Sequence, residues 1–168
     1  MALLETFYPS EIRDSTYMIP FEEWKQKGYH GIIFDIDNTL VSHGAAADER
    51  SIALFGRLKN LGFSTMLLSN NKELRVKSFA AQVSSSYIYK AGKPALKNYY
   101  KAMEEMGTTP ETTLFVGDQL FTDVWGAKRA GIYSILVKPI HPKEEIQIVL
   151  KRFLEKIVLF FYYRKIKK

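Results

Sequence analysis

A chain of 168 residues that is 46% hydrophobic suits one compact domain with a full core and leaves little for a second. It has no cysteine, which excludes a disulfide framework and a thiolate metal site and leans towards a reducing compartment. The net charge of +6 is confined to one end: Lys151–Lys168 holds seven basic residues and one acid, Glu155, so the rest of the chain is neutral.

The opening MALLETFYPSEIRD lacks the basic flank and apolar centre of a signal peptide. The longest apolar run, Ile157–Tyr163, falls far short of the roughly 20 residues of a membrane-spanning helix. A cytoplasmic protein is therefore expected. A short helix near Phe21–Lys27 leads into the first apolar strand, Gly31–Ile36. There follow a helix at about Arg50–Leu61, a strand at Ser64–Ser69, a helix at Lys72–Val83, and a short strand at Tyr87–Tyr89. A helix at Pro94–Met106, a strand at Thr113–Gly117, a helix at Thr122–Ala130 and a strand at Ile132–Val137 come next. Gly62, Gly107 and Gly131 stand where helices stop, and Pro94 suits a first helical turn. A last helix leads out from about Lys143.

Strands separated by single helices imply right-handed crossovers and a parallel sheet. The expected fold is α/β and Rossmann-like, with about five strands, helices on both faces and no inserted cap. It forms one domain over residues 1–168, with a core at about 28–140 and a basic, aromatic helix at 141–168.

Ligands in such sheets bind beyond the carboxyl ends of the strands. There the chain places Asp35 and Asp37 after the first strand, Ser69 at the end of the second, Lys93 after the third and Asp118 after the fourth. Residues two apart in an extended chain face the same way, so Asp35 and Asp37 can converge. Two like charges at the edge of a core need compensation. Carboxylates converging with a serine and a lysine point to a divalent cation and an anionic substrate. Mg²⁺, which takes oxygen ligands from one or two carboxylates, water and phosphate, fits that set. An aspartate nucleophile attacking phosphorus is established chemistry.

The motifs FDIDNTL, LLSNN (Leu67–Asn71), GKP (Gly92–Pro94) and GDQLFTD (Gly117–Asp123) together resemble the four signatures of the haloacid dehalogenase (HAD) superfamily, in order and after the right strands. The resemblance implies that Asp35 is the nucleophile and forms an aspartyl-phosphate. It implies that Asp37 protonates the leaving oxygen and then activates water, and that Ser69 and Lys93, with Asn70 beside them, bind the phosphoryl group. Asp35, the Asp37 backbone carbonyl and Asp118 would hold Mg²⁺. Asp123 would support the metal through water or pair with Lys93. The 32 residues from Asp37 to Ser69 and the 24 from Ser69 to Lys93 are already used by the core, so no cap domain fits. The site should be open to large or surface-bound substrates, or take a lid from another subunit of an oligomer.

The flanks, LETFYPSEIRDSTYMIPFEEWKQKGYHG and VKPIHPKEEI, resemble the capless YqeG-type phosphatases of subclass IIIA, relatives of the phosphatidylglycerophosphate phosphatases. That makes a lipid phosphomonoester the leading substrate. The alternatives are a soluble nucleotide, sugar or phosphoprotein substrate, or a HAD-fold binding module for RNA or a protein partner. In the tail, Ile146, Leu150, Phe153, Ile157, Phe160 and Phe161 follow helical spacing. This stripe either packs on the domain or, beside its lysines, meets an anionic membrane at the inner face. The tail carries no nucleic-acid motif.

Overall fold

The computed structural model describes residues 2–141 and 146–167. Its helices are α1 (Ala2–Glu5), α2 (Phe21–Gln26), α3 (Glu49–Asn60), α4 (Glu73–Val83), α5 (Lys97–Met106), α6 (Trp125–Arg129) and α7 (Ile146–Ile166). Its strands are β1 (Glu11–Arg13), β2 (Gly31–Phe34), β3 (Ser64–Leu68), β4 (Ser86–Ile88), β5 (Thr113–Gly117) and β6 (Tyr133–Val137). The expected start of the last helix, Lys143 to Glu145, lies outside the described residues.

The strands form one parallel sheet in the order β1-β6-β5-β2-β3-β4. Its centre is β2, whose Ile33 lies opposite Met66 on β3 and Phe115 on β5. All four residues of β2 are buried, as a strand covered on both faces requires. The alternation of side chains divides them between two cores. Ile32 and Phe34 pack with Leu54, Phe55 and Leu58 of α3 and Val76 and Phe79 of α4. Ile33 packs with Tyr99 and Met103 of α5 and Ala127 of α6. A third cluster gathers Leu120, Val124, Leu136 and Val158, so α7 joins the domain beside β6.

Several expectations are adjusted. The sheet has a sixth strand, β1, which pairs with β6 through Glu11–Arg13. Helix α5 begins at Lys97, not Pro94; a turn closed by Ala95 N–H to Gly92 O (2.9 Å) comes first. The stretch after Asp118 opens as a π-helical turn, Leu120–Val124, before α6. Only α3 separates β2 from β3, and only α4 separates β3 from β4, so no cap is inserted. Of the apolar stripe of α7, Leu150, Phe153, Ile157, Phe160 and Phe161 are exposed, while Glu155 and Val158 are buried; the side chain of Ile146 lies outside the described residues.

Phe34 is fully buried, with its ring centroid 5.2 Å from that of Phe55 and 6.2 Å from that of Phe21. Truncation there leaves a cavity, so Phe34→Ala should cost about 3–5 kcal/mol in urea denaturation. Phe160→Ala, on the exposed stripe, should stay within about 0.5 kcal/mol.

Candidate active site

The ladder of β2 runs one residue past the strand, with Asp35 N–H donating to Val116 O (3.0 Å). The chain then turns sharply. Thr39 and Leu40 N–H return to Ile36 O (3.2 and 2.9 Å), and Asn38 takes a left-handed backbone with φ of 63°. Thr16 Oγ1 and Tyr17 OH, from the 3₁₀ turn before α2, brace the loop through Thr39 O (2.8 Å) and Leu40 O (2.6 Å). The loop thus holds Asp35 buried and Asp37 at the rim of the cleft.

The cleft floor is a buried charge cluster. Lys93 Nζ donates to Asp35 Oδ1 and to Asp123 Oδ1, both at 2.7 Å. The other oxygen of Asp123 accepts Asp118 N–H and Gln119 N–H (3.1 Å each). Asp123 therefore pairs with Lys93 and closes the turn that carries Asp118. Gly117 is required for this fit, because a Cβ there would lie 2.5 Å from Asp123 Oδ2. Thr39 Oγ1 lies 3.3 Å from Asp35 Oδ2 and 3.0 Å from Asp118 Oδ1. Arg152 of α7 binds Asp118 Oδ2 and the Asp118 carbonyl, and also Glu155 Oε2 (2.9 Å).

Four carboxylates of this cluster, Asp35, Asp118, Asp123 and Glu155, face two cations, Lys93 and Arg152, among the described residues. When all are ionised, two negative charges remain uncompensated. The imbalance appears in the acidities. Burial pushes the Asp35 carboxyl up to about 6 despite Lys93. Burial, followed by the charges of Asp35 and Asp123, pushes Asp118 well above the ordinary range despite Arg152. Burial disfavours the charge on Lys93, but Asp123 and Asp35 outweigh it and hold the amine above its usual value. Asp35, Asp118 and Asp123 each offer an oxygen within 4.8 Å of the others. Hard oxygen donors with an excess of two negative charges fit a divalent cation.

The remaining expected residues are at the same edge. Burial raises the Asp37 carboxyl, but Gly44 N–H (2.7 Å), Arg75 Nη2 (3.0 Å) and Asn71 Nδ2 (3.1 Å) together hold it below the ordinary range. Ser69 is buried, and its hydroxyl accepts Asn71 N–H (3.2 Å). Asn70 grips the lysine loop: its Oδ1 accepts Lys93 N–H (2.8 Å) and its Nδ2 donates to Lys93 O (3.3 Å). His43 and Lys151 also line the cleft, of about 320 Å³. His30 lies beside Lys25, away from it. Arg75, Asn71, Thr39 and Arg152 are site residues that the sequence reading assigned no role. Thr39 and Asn71 carried a signal, since they stand inside FDIDNTL and LLSNN; Arg75 and Arg152 reach the site across the fold.

The model of the haloacid dehalogenase-like hydrolases matches residues 45–131, about half of the chain. Probable phosphatase YqeG of Bacillus subtilis is 36% identical over 164 residues, covering 97% of this chain and 95% of that protein. The chain belongs to the haloacid dehalogenase-like hydrolases. It is a HAD-type phosphatase, as its near-full-length likeness to YqeG shows. Phosphatidylglycerophosphate phosphatase 1, chloroplastic/mitochondrial, of Arabidopsis thaliana is 28% identical over 92% of this chain and 47% of its own length. Among solved structures, the cobalt-bound deoxy-D-mannose-octulosonate 8-phosphate phosphatase of Haemophilus influenzae superposes with a TM-score of 0.56 at 15% identity, over 67% of this chain and 70% of its own. That likeness is one of fold. HAD phosphatases generally use a divalent metal, which agrees with the acidic floor.

An acid whose folded pKa is raised contributes stability that is fully present below its unfolded value and is lost as pH rises through the folded value. For Asp35 the loss runs from about 4 to about 6. In chelator at pH 8, Asp35→Asn should therefore melt about 2–4 °C above the wild type. The gap should shrink below pH 5. Thermal denaturation at the two pH values checks both statements.

Proposed function

We propose that this phosphatase hydrolyses a phosphomonoester through an aspartyl-phosphate on Asp35, with Mg²⁺ as its metal. One observation carries the reading: Asp35 and Lys93 share a direct ion pair on the floor of a cleft that Asp37 and Ser69 also line. Mg²⁺, held by Asp35, the Asp37 backbone carbonyl and Asp118, would neutralise phosphoryl charge and the cluster's own excess. Asp123 acts indirectly, because its oxygens are already engaged by Lys93 and two backbone N–H groups.

Asp35 Oδ attacks phosphorus and the bond to the leaving oxygen breaks. Lys93 and the Ser69 hydroxyl stabilise the phosphoryl oxygens. Asn70 contributes by fixing the lysine loop. At rest the Asp37 carboxyl is held ionised; the negative charge of an entering phosphate raises its proton affinity, so it takes up a proton from solvent and gives it to the leaving oxygen. Asp37 then takes a proton from the water that attacks the phosphoaspartate, restoring Asp35, and returns that proton to solvent as phosphate leaves.

The favoured substrate is a lipid phosphate such as phosphatidylglycerophosphate. The named activity of the Arabidopsis relative supports it, as does a cleft with no inserted cap above it. Helix α7 supports it too. The helix carries an exposed apolar stripe together with the basic Lys151, Lys156, Arg164 and Lys167, a combination that fits the face of an anionic bilayer. Among the described residues no helix is long and apolar enough to cross a membrane, so the contact proposed is peripheral, at the cytoplasmic face.

Asp35→Asn should lower phosphate release from an aryl phosphate at least a thousandfold with the fold retained, roughly the loss of a nucleophile's contribution. Chelation should stop the wild type, Mg²⁺ should restore it, and Ca²⁺, with its looser coordination, should inhibit. Turnover by Asp35→Asn at the wild-type rate, or full activity in excess chelator, contradicts the mechanism.

Replacing Arg164, Lys165, Lys167 and Lys168 with glutamine should weaken sedimentation with anionic vesicles and reduce its salt sensitivity. Each basic residue near the surface contributes about 1 kcal/mol. Lys165, which pairs with Glu5 at 2.8 Å, should contribute least. Activity on an aryl phosphate should be unchanged, while activity on phosphatidylglycerophosphate in anionic vesicles should fall. An enzyme for soluble substrates would show no lipid effect, and equal sedimentation at low salt removes the membrane role.

A further inference from the structure

The carboxylates proposed to hold the cation are each pinned on one side. Asp35 gives Oδ1 to Lys93 and keeps Oδ2 near the Thr39 hydroxyl. Asp118 repeats the arrangement. Its Oδ2 takes Arg152 Nη2, and its Oδ1 reaches the same Thr39 hydroxyl. One oxygen of each carboxylate thus shares the Thr39 hydroxyl, while the opposite oxygens are held by a lysine and an arginine.

The arginine comes from α7, outside the four motifs, and it is built in. Its Nη1 also binds the Asp118 carbonyl and Glu155 Oε2. Glu155 is buried and accepts Leu120 N–H (2.7 Å), the first residue of the π turn. The guanidinium is therefore fixed against both the side chain and the main chain of Asp118. A planar, multiply bonded fork of this kind sets direction as well as charge.

We propose that Arg152 is a positioning residue of the cation site, orienting Asp118 as Lys93 orients Asp35. On this reading α7 is part of the catalytic centre in addition to being a surface helix. The inference rests on the proposed cation site. Partners that hold the second atom of a ligating group in place commonly account for ten- to hundredfold in metal affinity.

The sign of the effect separates positioning from simple charge. Removing a positive group close to a cation site should tighten binding if Coulomb repulsion is all that matters. Loss of orientation should weaken it.

Isothermal titration of the substrate-free protein with Mg²⁺ reads this directly, with circular dichroism confirming the fold. Arg152→Gln should bind Mg²⁺ about tenfold more weakly. Arg152→Lys, which keeps one donor but loses the fork, should recover part of the loss. Val158→Ala loosens the seat of α7 without touching Asp118, and should bind close to wild type. Equal or tighter binding by Arg152→Gln overturns the proposal, as does an equal loss in Val158→Ala. If Arg152→Gln does not fold, Arg152→Lys decides alone: weaker binding supports positioning, and unchanged binding overturns it. A wild type that takes up no Mg²⁺ overturns the cation site itself, and this inference with it.

Discussion

One lysine holds two carboxylates inside this protein, and the rest of the site is arranged around that contact. Asp35, Asp118 and Asp123 could not share a buried space without compensation, because each ionised group raises the proton affinity of its neighbours. Lys93 joins Asp35 to Asp123, and Asp123 in turn gathers the backbone N–H groups of Asp118 and Gln119. The ion pair therefore fixes the position of the loop that follows β5 as well as its charge. A small excess of negative charge is left over. That residue of imbalance suits the cation, and with it the phosphate, proposed for the floor of the cleft. Removing the lysine would leave Asp35 and Asp123 buried without a counter-charge, so structure and chemistry here depend on the same side chain.

The sheet makes this convergence possible. From β2 the chain moves outward through β3 and β4, then returns to add β5 and β6 on the other side. The switch places the ends of β2 and β5 next to each other, and the loops after β3 and β4 bring Ser69 and Lys93 to the same edge. The apolar faces of the strands do the positioning. Ile32 and Phe34 are held by one layer of helices and Ile33 by the other, so Asp35 has little freedom to move. Helix α7 then closes the edge beside β6, presenting charged groups to the site and an apolar stripe to the outside.

Much of this was legible because it is local. Apolar runs bounded by helices and glycine stops gave five strands with ends within about two residues of those observed, and the four motifs gave the carboxylates, the serine and the lysine. The misses have physical causes. Strand β1 is three residues, two of them charged, and owes its extended form to pairing with β6 rather than to its own pattern. The π turn at Leu120–Val124 follows from Asp123 binding the backbone of Asp118 and Gln119, a tertiary preference imposed on a helical sequence. The tail's hydrophobic spacing predicted a stripe correctly but could not say which side of the helix would meet the domain. Arg152 was read as one more positive charge in a basic tail. Its contact with Asp118 spans 34 residues, and nothing near it in the sequence names its partner.

The long reach of these contacts also bears on the order in which the protein is made. Asp35 leaves the ribosome 58 residues before the lysine that neutralises it. Thr39 precedes Asp118 by 79 residues, and Arg152 follows Asp118 by another 34. At the N-terminal edge, Ser10 waits 124 residues for its bond to Ser134. Between the emergence of Asp35 and that of Lys93, the nascent chain has an apolar β2 followed by an Asp35 whose counter-charge has not yet emerged, a segment favoured neither in water nor in a partial core. The centre of the sheet can settle only late, once the opposite charges have emerged.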